Sequence, residues 1–121
     1  MTLDKLVDAL KQTGIPFAAW AWDGTPDGPA WGVCAVDSSP SRLGGEGMTF
    51  ARSVQGTVDL FAAMPARCEN VAVECVLRGC EGIRWYLNTV QQERDTGLMH
   101  WEWVVTWLEE VPAGEDAGDR I

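Results

Sequence analysis

A chain of 121 residues is long enough to bury roughly two-thirds of its unfolded surface as one domain. Its 18 acidic and 9 basic side chains give a net charge of -9, which argues against a phosphate-gripping groove built from Lys and Arg clusters. No apolar run is long enough to span a membrane, and the mixed-charge start MTLDKLVDAL does not have the pattern of a signal peptide, so a chain made in the cytoplasm is expected.

Leu3, Leu6, Val7 and Leu10 recur at the spacing of one helix face, which predicts an amphipathic helix over residues 3–13. Thr2 is placed to cap it, Asp4 and Lys11 suit its dipole, and Gly14 followed by Pro16 stops it. The apolar run Pro16–Trp22, bounded by Pro and by Asp23-Gly24, predicts a strand with Trp20 and Trp22 on one face. Asp23–Pro29 (DGTPDGP) is turn-forming. Ala30–Val36 (AWGVCAV) predicts a second strand, and the two strands are expected to form a meander or hairpin. Asp37–Gly47, rich in Ser and Gly around Pro40, is turn-forming and predicts a mobile loop.

Met48–Phe61 (MTFARSVQGTVDLF) is the stretch around which a sheet would form, continuing toward Ala63. Phe50, Val54, Val58 and Leu60 share one parity, and Ala51, Ser53, Gln55, Thr57 and Asp59 share the other, the period of a strand with one buried face. Gly56, Thr57 and Val58 in its interior argue against a helix. Pro65 suits the first position of a second helix, whose apolar face is predicted from Cys68, Val71, Ala72, Cys75 and Val76 and whose end is bracketed by Gly79 and Gly82. Arg67, Glu69, Asn70 and Glu74 fall elsewhere on its wheel.

Ile83–Val90 predicts a strand and Gln91–Gly97 a turn. The last strand, Leu98–Leu108, alternates Met99, Trp101, Trp103, Val105 and Trp107 with His100, Glu102 and Thr106. The acidic, Gly-rich end predicts a folded domain over residues 1–110 and a flexible tail over residues 111–121. The order α-β-β-β-α-β-β predicts an α+β domain, a largely antiparallel or mixed sheet of about five strands with both helices packed on it.

Candidate chemistry is sparse. Cys34, Cys68, Cys75 and Cys80 lack the C-x-x-C spacing of zinc or redox sites, and three of them lie at or near an apolar helical face, so packing is the expected role. His100 and Glu102 point the same way on a strand, a geometry open to acid–base work, although a lone strand histidine is more often solvated or hydrogen-bonded. Asp23, Asp27, Asp37 and Asp59 supply carboxylates whose spacing makes no pair converge. No nucleophile, phosphate-loop or dinucleotide motif occurs; neither catalysis nor any cofactor or metal is expected. The seven tryptophans, Trp20, Trp22, Trp31, Trp85, Trp101, Trp103 and Trp107, are many for so small a domain, and not all need fit in one core. Trp101, Trp103 and Trp107 are candidate interface aromatics, core or oligomer burial being favoured over a sugar-stacking platform.

Four stretches carry a family resemblance: TGIP (Thr13–Pro16), GTPDGPAWGV (Gly24–Val33), RSVQGTVDLF (Arg52–Phe61) and LMHWEWVV (Leu98–Val105). Together with the order of elements over residues 3–108, they resemble the tail terminator, or tail-completion, proteins of long-tailed bacteriophages. The higher Trp and Cys content and the acidic tail depart from that pattern. The resemblance implies a non-enzymatic virion protein, present in the host cytoplasm during assembly. It implies a ring, typically a homohexamer, that caps the tail tube, binds the tube protein and the head-neck connector, and lets DNA pass through its lumen without specific binding. Excess negative charge suits such a lumen. Within that reading, Ser53, Gln55, Thr57 and Asp59 form a face toward the lumen or a neighbouring subunit. Another head-to-tail or tail-tube component on the same scaffold and a carbohydrate-binding module using the Trp rows are the alternatives.

Overall fold

The computed structural model describes residues 1–24, 26, 28–37, 41–43, 50–63 and 68–111. In chain order these form α1 (Leu3–Lys11), β1 (Phe17–Ala19), β2 (Ala30–Val36), β3 (Ser41–Leu43), β4 (Phe50–Ala62), α2 (Glu69–Gly79), β5 (Ile83–Gln92) and β6 (Met99–Val111). The fold is α+β, as the order of elements predicts. One mixed sheet runs β1-β2-β4-β6-β5, and the short β3 pairs with β4 as an addition to the expected order.

Helix α1 begins where Thr2 accepts the Lys5 amide on its hydroxyl at 3.2 Å, and Asp4 and Lys11 sit at the ends that suit the dipole. The chain leaves the helix through Gly14 at φ +84, a left-handed conformation that glycine adopts without a Cβ penalty. Leu6, Val7 and Leu10 are buried on the sheet. Each contributes roughly 1.5–3 kcal/mol by leaving water.

β4 is the central strand. It pairs antiparallel with β2 from Val36↔Gly56 to Ala30↔Ala62 and with β6 from Phe50↔Val111 to Ala62↔Met99. Its even-numbered residues Val54, Val58, Leu60 and Ala62 face the helices, as the alternation requires, and pack with Trp101, Trp103, Val105 and Trp107 of β6 and with Val73 and Leu77 of α2. Both helices therefore cover one face of the sheet. Met48, the expected start of the strand, and Pro65, expected to open the second helix, lie outside the described residues. β6 extends to Val111, so the sheet takes the first residue assigned to the acidic tail; residues 112–121 also lie outside the described set.

Three expectations are corrected. β1 and β2 are parallel, with Phe17↔Gly32 and Ala19↔Cys34 in register, so they form no hairpin. The chain leaves the sheet at Trp20, not after Trp22, and residues 20–29 carry it back to start β2 beside the start of β1. Trp20 and Trp22 therefore share no strand face.

The second correction concerns α2. Its buried residues are Val73 and Leu77, while Val71 and Cys75 are exposed. The helix is rotated so that Glu74 lies over the sheet, where its Oε2 accepts the indole N–H of Trp103 at 2.9 Å. That bond satisfies a donor which would otherwise be buried without a partner.

The third concerns the thiols. Only Cys34 is a core residue, and its burial beside the negative charge of Asp59 pushes its thiol up to about 12; Cys68 and Cys75 are exposed and Cys80 half-buried, all of them free.

Candidate functional site

Among the described residues no helix packs against the sheet face opposite α1 and α2. It carries the odd-numbered residues of β4, with Ser53, Thr57 and Asp59 half-buried and Gln55 exposed, which puts the sequence-predicted polar face on the side away from the helices. Gln55 donates from Nε2 to Asp37 Oδ2 at 2.9 Å, so that end of the face is closed by a polar pair. Trp101, Trp103 and Trp107, the candidate interface aromatics, are only 6 %, 0 % and 3 % exposed. They belong to the core and cannot present their rings to a second subunit. The physical reason is their parity: they alternate with His100, Glu102 and Thr106 and point under the helices.

At the other end of the open face, three strands contribute one stacked column. Trp31 of β2, Phe61 of β4 and His100 of β6 lie ring on ring, with centroids 4.2 Å and 4.3 Å apart and interplanar angles of 19° and 20°. Register explains it, because Trp31↔Phe61 and Phe61↔His100 are direct cross-strand partners. His100 donates from Nε2 to Oδ1 of Asp59, its diagonal neighbour, at 2.6 Å. Its buried Nδ1 has no hydrogen-bond partner, and Glu93 Oε2 stands 4.0 Å away. His100 is thus a hydrogen-bonded strand residue, the reading favoured above over acid–base work with Glu102, which instead accepts from Asn88 Nδ2 at 2.8 Å.

Trp31 and Phe61 of this column form, with Asp59, the back wall of an open groove of about 540 Å³, lined also by Trp20, Trp22, Pro26, Val33 and, from the β5–β6 turn, Thr96. Trp22 is fixed by its indole N–H, which donates to the Gly32 carbonyl at 2.9 Å. Trp20 is held differently. Its φ is +69, and Ala21 N donates to Ala19 O at 2.8 Å across it, a γ-turn of the rare positive-φ kind. A bulky residue in that conformation costs about 1–3 kcal/mol, and here the ring is left 62 % exposed. Because little burial repays the strain, Trp20→Gly is expected to raise stability by about 1 kcal/mol. A urea titration followed by far-UV circular dichroism measures this, and a lower midpoint contradicts it.

Burial raises the Asp59 carboxyl above its ordinary 3.8, opposed by the hydrogen bond and charge of His100 and by the Thr57 hydroxyl, and reinforced by Glu102. The folded chain therefore holds this proton more tightly than the unfolded one. Where the unfolded state binds fewer protons, stability falls as pH rises, so Asp59 contributes a loss that begins near pH 3.8 and is complete above its raised folded value. Asp59→Asn is expected to remove that component. Paired urea melts at about pH 4 and about pH 7 should show a gap between wild type and variant that shifts in favour of the variant at the higher pH; a gap independent of pH contradicts the assignment. Glu93, Glu102 and His100 are the other titratable groups around the carboxyl on this face, and they are retained in both proteins.

Fold and groove together define a two-layer α+β domain with an aromatic groove, floored by the Asp59 carboxyl, on the sheet face that no described helix covers. No protein-family model matches the chain, and no curated protein matches it in sequence. Among the described residues no group of three metal-ligating side chains converges, and no helix is long and apolar enough to cross a membrane.

Proposed function

We propose that the chain is a non-enzymatic structural protein of a phage virion that assembles into a ring, terminating the tail tube and connecting it to the head-neck complex. The observation that carries this reading is the outer edge of the sheet. β5 runs ten residues, pairs among the described residues on one side only, with β6, and exposes Tyr86, Leu87 and Val90 along its free edge. A long edge strand with exposed apolar side chains is a template for pairing with another chain, and a closed ring of identical subunits uses such an edge in every copy. The resemblance of Thr13–Pro16, Gly24–Val33, Arg52–Phe61 and Leu98–Val105 to tail terminators names the assembly. Ring closure would bring the polar face Ser53, Gln55, Thr57 and Asp59 toward the lumen or the neighbour.

Sedimentation across a concentration series, with electron microscopy of purified tail tubes, tests the reading. Ring-sized particles that cap tubes are expected; persistent monomers that never decorate or limit tubes count against it. The double variant Leu87→Lys, Val90→Lys should weaken self-association by about a hundredfold, because both sites lose apolar contact and must bury an ammonium group at each interface. Its circular dichroism should stay that of wild type, since both side chains are exposed. Undiminished association by this variant would move the interface elsewhere. Another head-to-tail or tail-tube component would share the edge-paired assembly but bind tubes without limiting their length. The carbohydrate reading loses the row Trp101, Trp103 and Trp107, which is buried.

A further inference from the structure

We infer that the groove between Trp20, Trp22, Trp31 and Phe61 receives a basic side chain, the guanidinium or ammonium of an arginine or lysine presented by a partner protein, with Asp59 as its counter-charge. This concerns the groove alone and stands whether or not the chain forms rings.

The groove's lining is aromatic and aliphatic apart from Thr96 and Asp59, and Asp59 is the one charged residue in it among the described residues. Indole and phenyl faces attract cations through the ring quadrupole, and Trp does so best. The rings here are held in place before any ligand arrives. Trp22 is pinned to Gly32 O, Trp31 and Phe61 are locked in the stack ending on His100, and Trp20 is turned outward by the γ-turn that takes the chain off the sheet. Strain kept at an exposed aromatic residue is a mark of a binding surface.

The floor supplies the charge. A carboxylate offers about four acceptor positions. Those of Asp59 used within the chain go to His100 and Thr57, which leaves acceptor capacity toward the groove. The charge of His100 partly offsets it, and Glu102 adds negative potential from β6. Burial already disfavours the ionised carboxyl, and an incoming cation would reverse that penalty. The net charge of -9 draws cationic partners toward the molecule.

Other ligand classes fit less well. An anion would meet no lining cation. A sugar would find, beside the indole N–H donors, only the Asp59 carboxyl and the Thr96 hydroxyl, where the many hydroxyls of a pyranose need more acceptors and donors. A purely apolar segment would strip water from Asp59 without replacing it. The groove is open and, at about 540 Å³, larger than one cationic group, so it has room for the residues flanking a side chain on a polypeptide.

The test follows the indole N–H resonances of the full chain while an N-acetylated Gly-Arg-Gly amide is added, with its lysine and citrulline counterparts run in parallel. Saturable shifts of Trp20, Trp22 and Trp31 are expected with arginine and lysine. The citrulline peptide, which keeps the shape and loses the charge, should bind at least about fivefold more weakly. Trp20→Gly and Asp59→Asn should each weaken the arginine peptide by about fivefold or more while keeping the wild-type circular dichroism. Equal binding of citrulline, shifts confined to other residues, no saturable shift, or full binding by Trp20→Gly would each overturn the inference, as would a glycan panel that shifts these indoles when the charged peptides do not.

Discussion

Trp103→Ala is expected to cost about 3–5 kcal/mol, a large share of the stability of a domain whose whole margin is of order 5–15 kcal/mol. Trp103 is fully buried at the centre of β6, opposite Val58 of β4 on one side and Leu87 of β5 on the other. Its loss removes the largest apolar surface in the core and leaves a cavity under α2 that Val73 and Leu77 border but cannot fill. The indole N–H matters separately. Glu74→Ala keeps the ring but strands its donor, at about 1–3 kcal/mol, whereas Trp103→Phe removes donor and part of the ring together and should fall well short of the alanine cost. Urea titration read by far-UV circular dichroism, which does not depend on the tryptophan itself, ranks the three. A Trp103→Ala midpoint close to wild type would place this ring outside the core and undo the register of β6.

That register is also where the sequence stops being informative. Alternation along Val54–Leu60 and along Met99–Trp107 identifies both long strands and the residues that point inward, because a period of two is a property of one strand alone. The caps of α1 are equally local, as Thr2 and Gly14 act within a turn of where they stand. What a strand lies beside is not local. The parallel pairing of β1 with β2 depends on the turn at Trp20, whose positive φ no residue preference foretells, since Gly or Asn is the usual occupant of that region. The Asp59–His100 pair and the Trp31–Phe61–His100 column exist because three strands align at one level, so no spacing along the chain reveals them.

The orientation of α2 is hidden for a different reason. Its small and apolar residues are spread around the wheel, and the face that is buried is decided by Glu74 reaching an indole on another strand.

Gly56→Val is the second large effect, and intrinsic preference and local geometry give it opposite signs. Valine favours strands, and preference alone would stabilise a mid-strand glycine site by up to about 1 kcal/mol. The site itself does not allow it. Gly56 faces the core between Val36 of β2 and Val105 of β6, and a Cβ there would run into the carbonyl oxygen of Ala35. The obstacle is backbone, fixed in the ladder that ends where Asp37 N donates to Gln55 O at 2.7 Å, so no rotamer change can relieve it. Either β2 peels away from its last pairs or β4 bows, and overpacking of this kind costs about 1–3 kcal/mol, with valine at the upper end. Sterics should therefore win, with Gly56→Ala intermediate and Gly56→Val worse. Gly79→Ala, at the end of α2 where an added Cβ meets nothing, serves as the opposite case and should stabilise by a few tenths to about 1 kcal/mol. Hydrogen exchange locates the damage: in Gly56→Val the amides of Ala35, Val36 and Asp37 should lose protection before those of β6. If Gly56→Val melts at or above the wild-type midpoint, the close approach of β2 to β4 at this level is wrong. With it would go the alignment that sets Trp31 against Phe61.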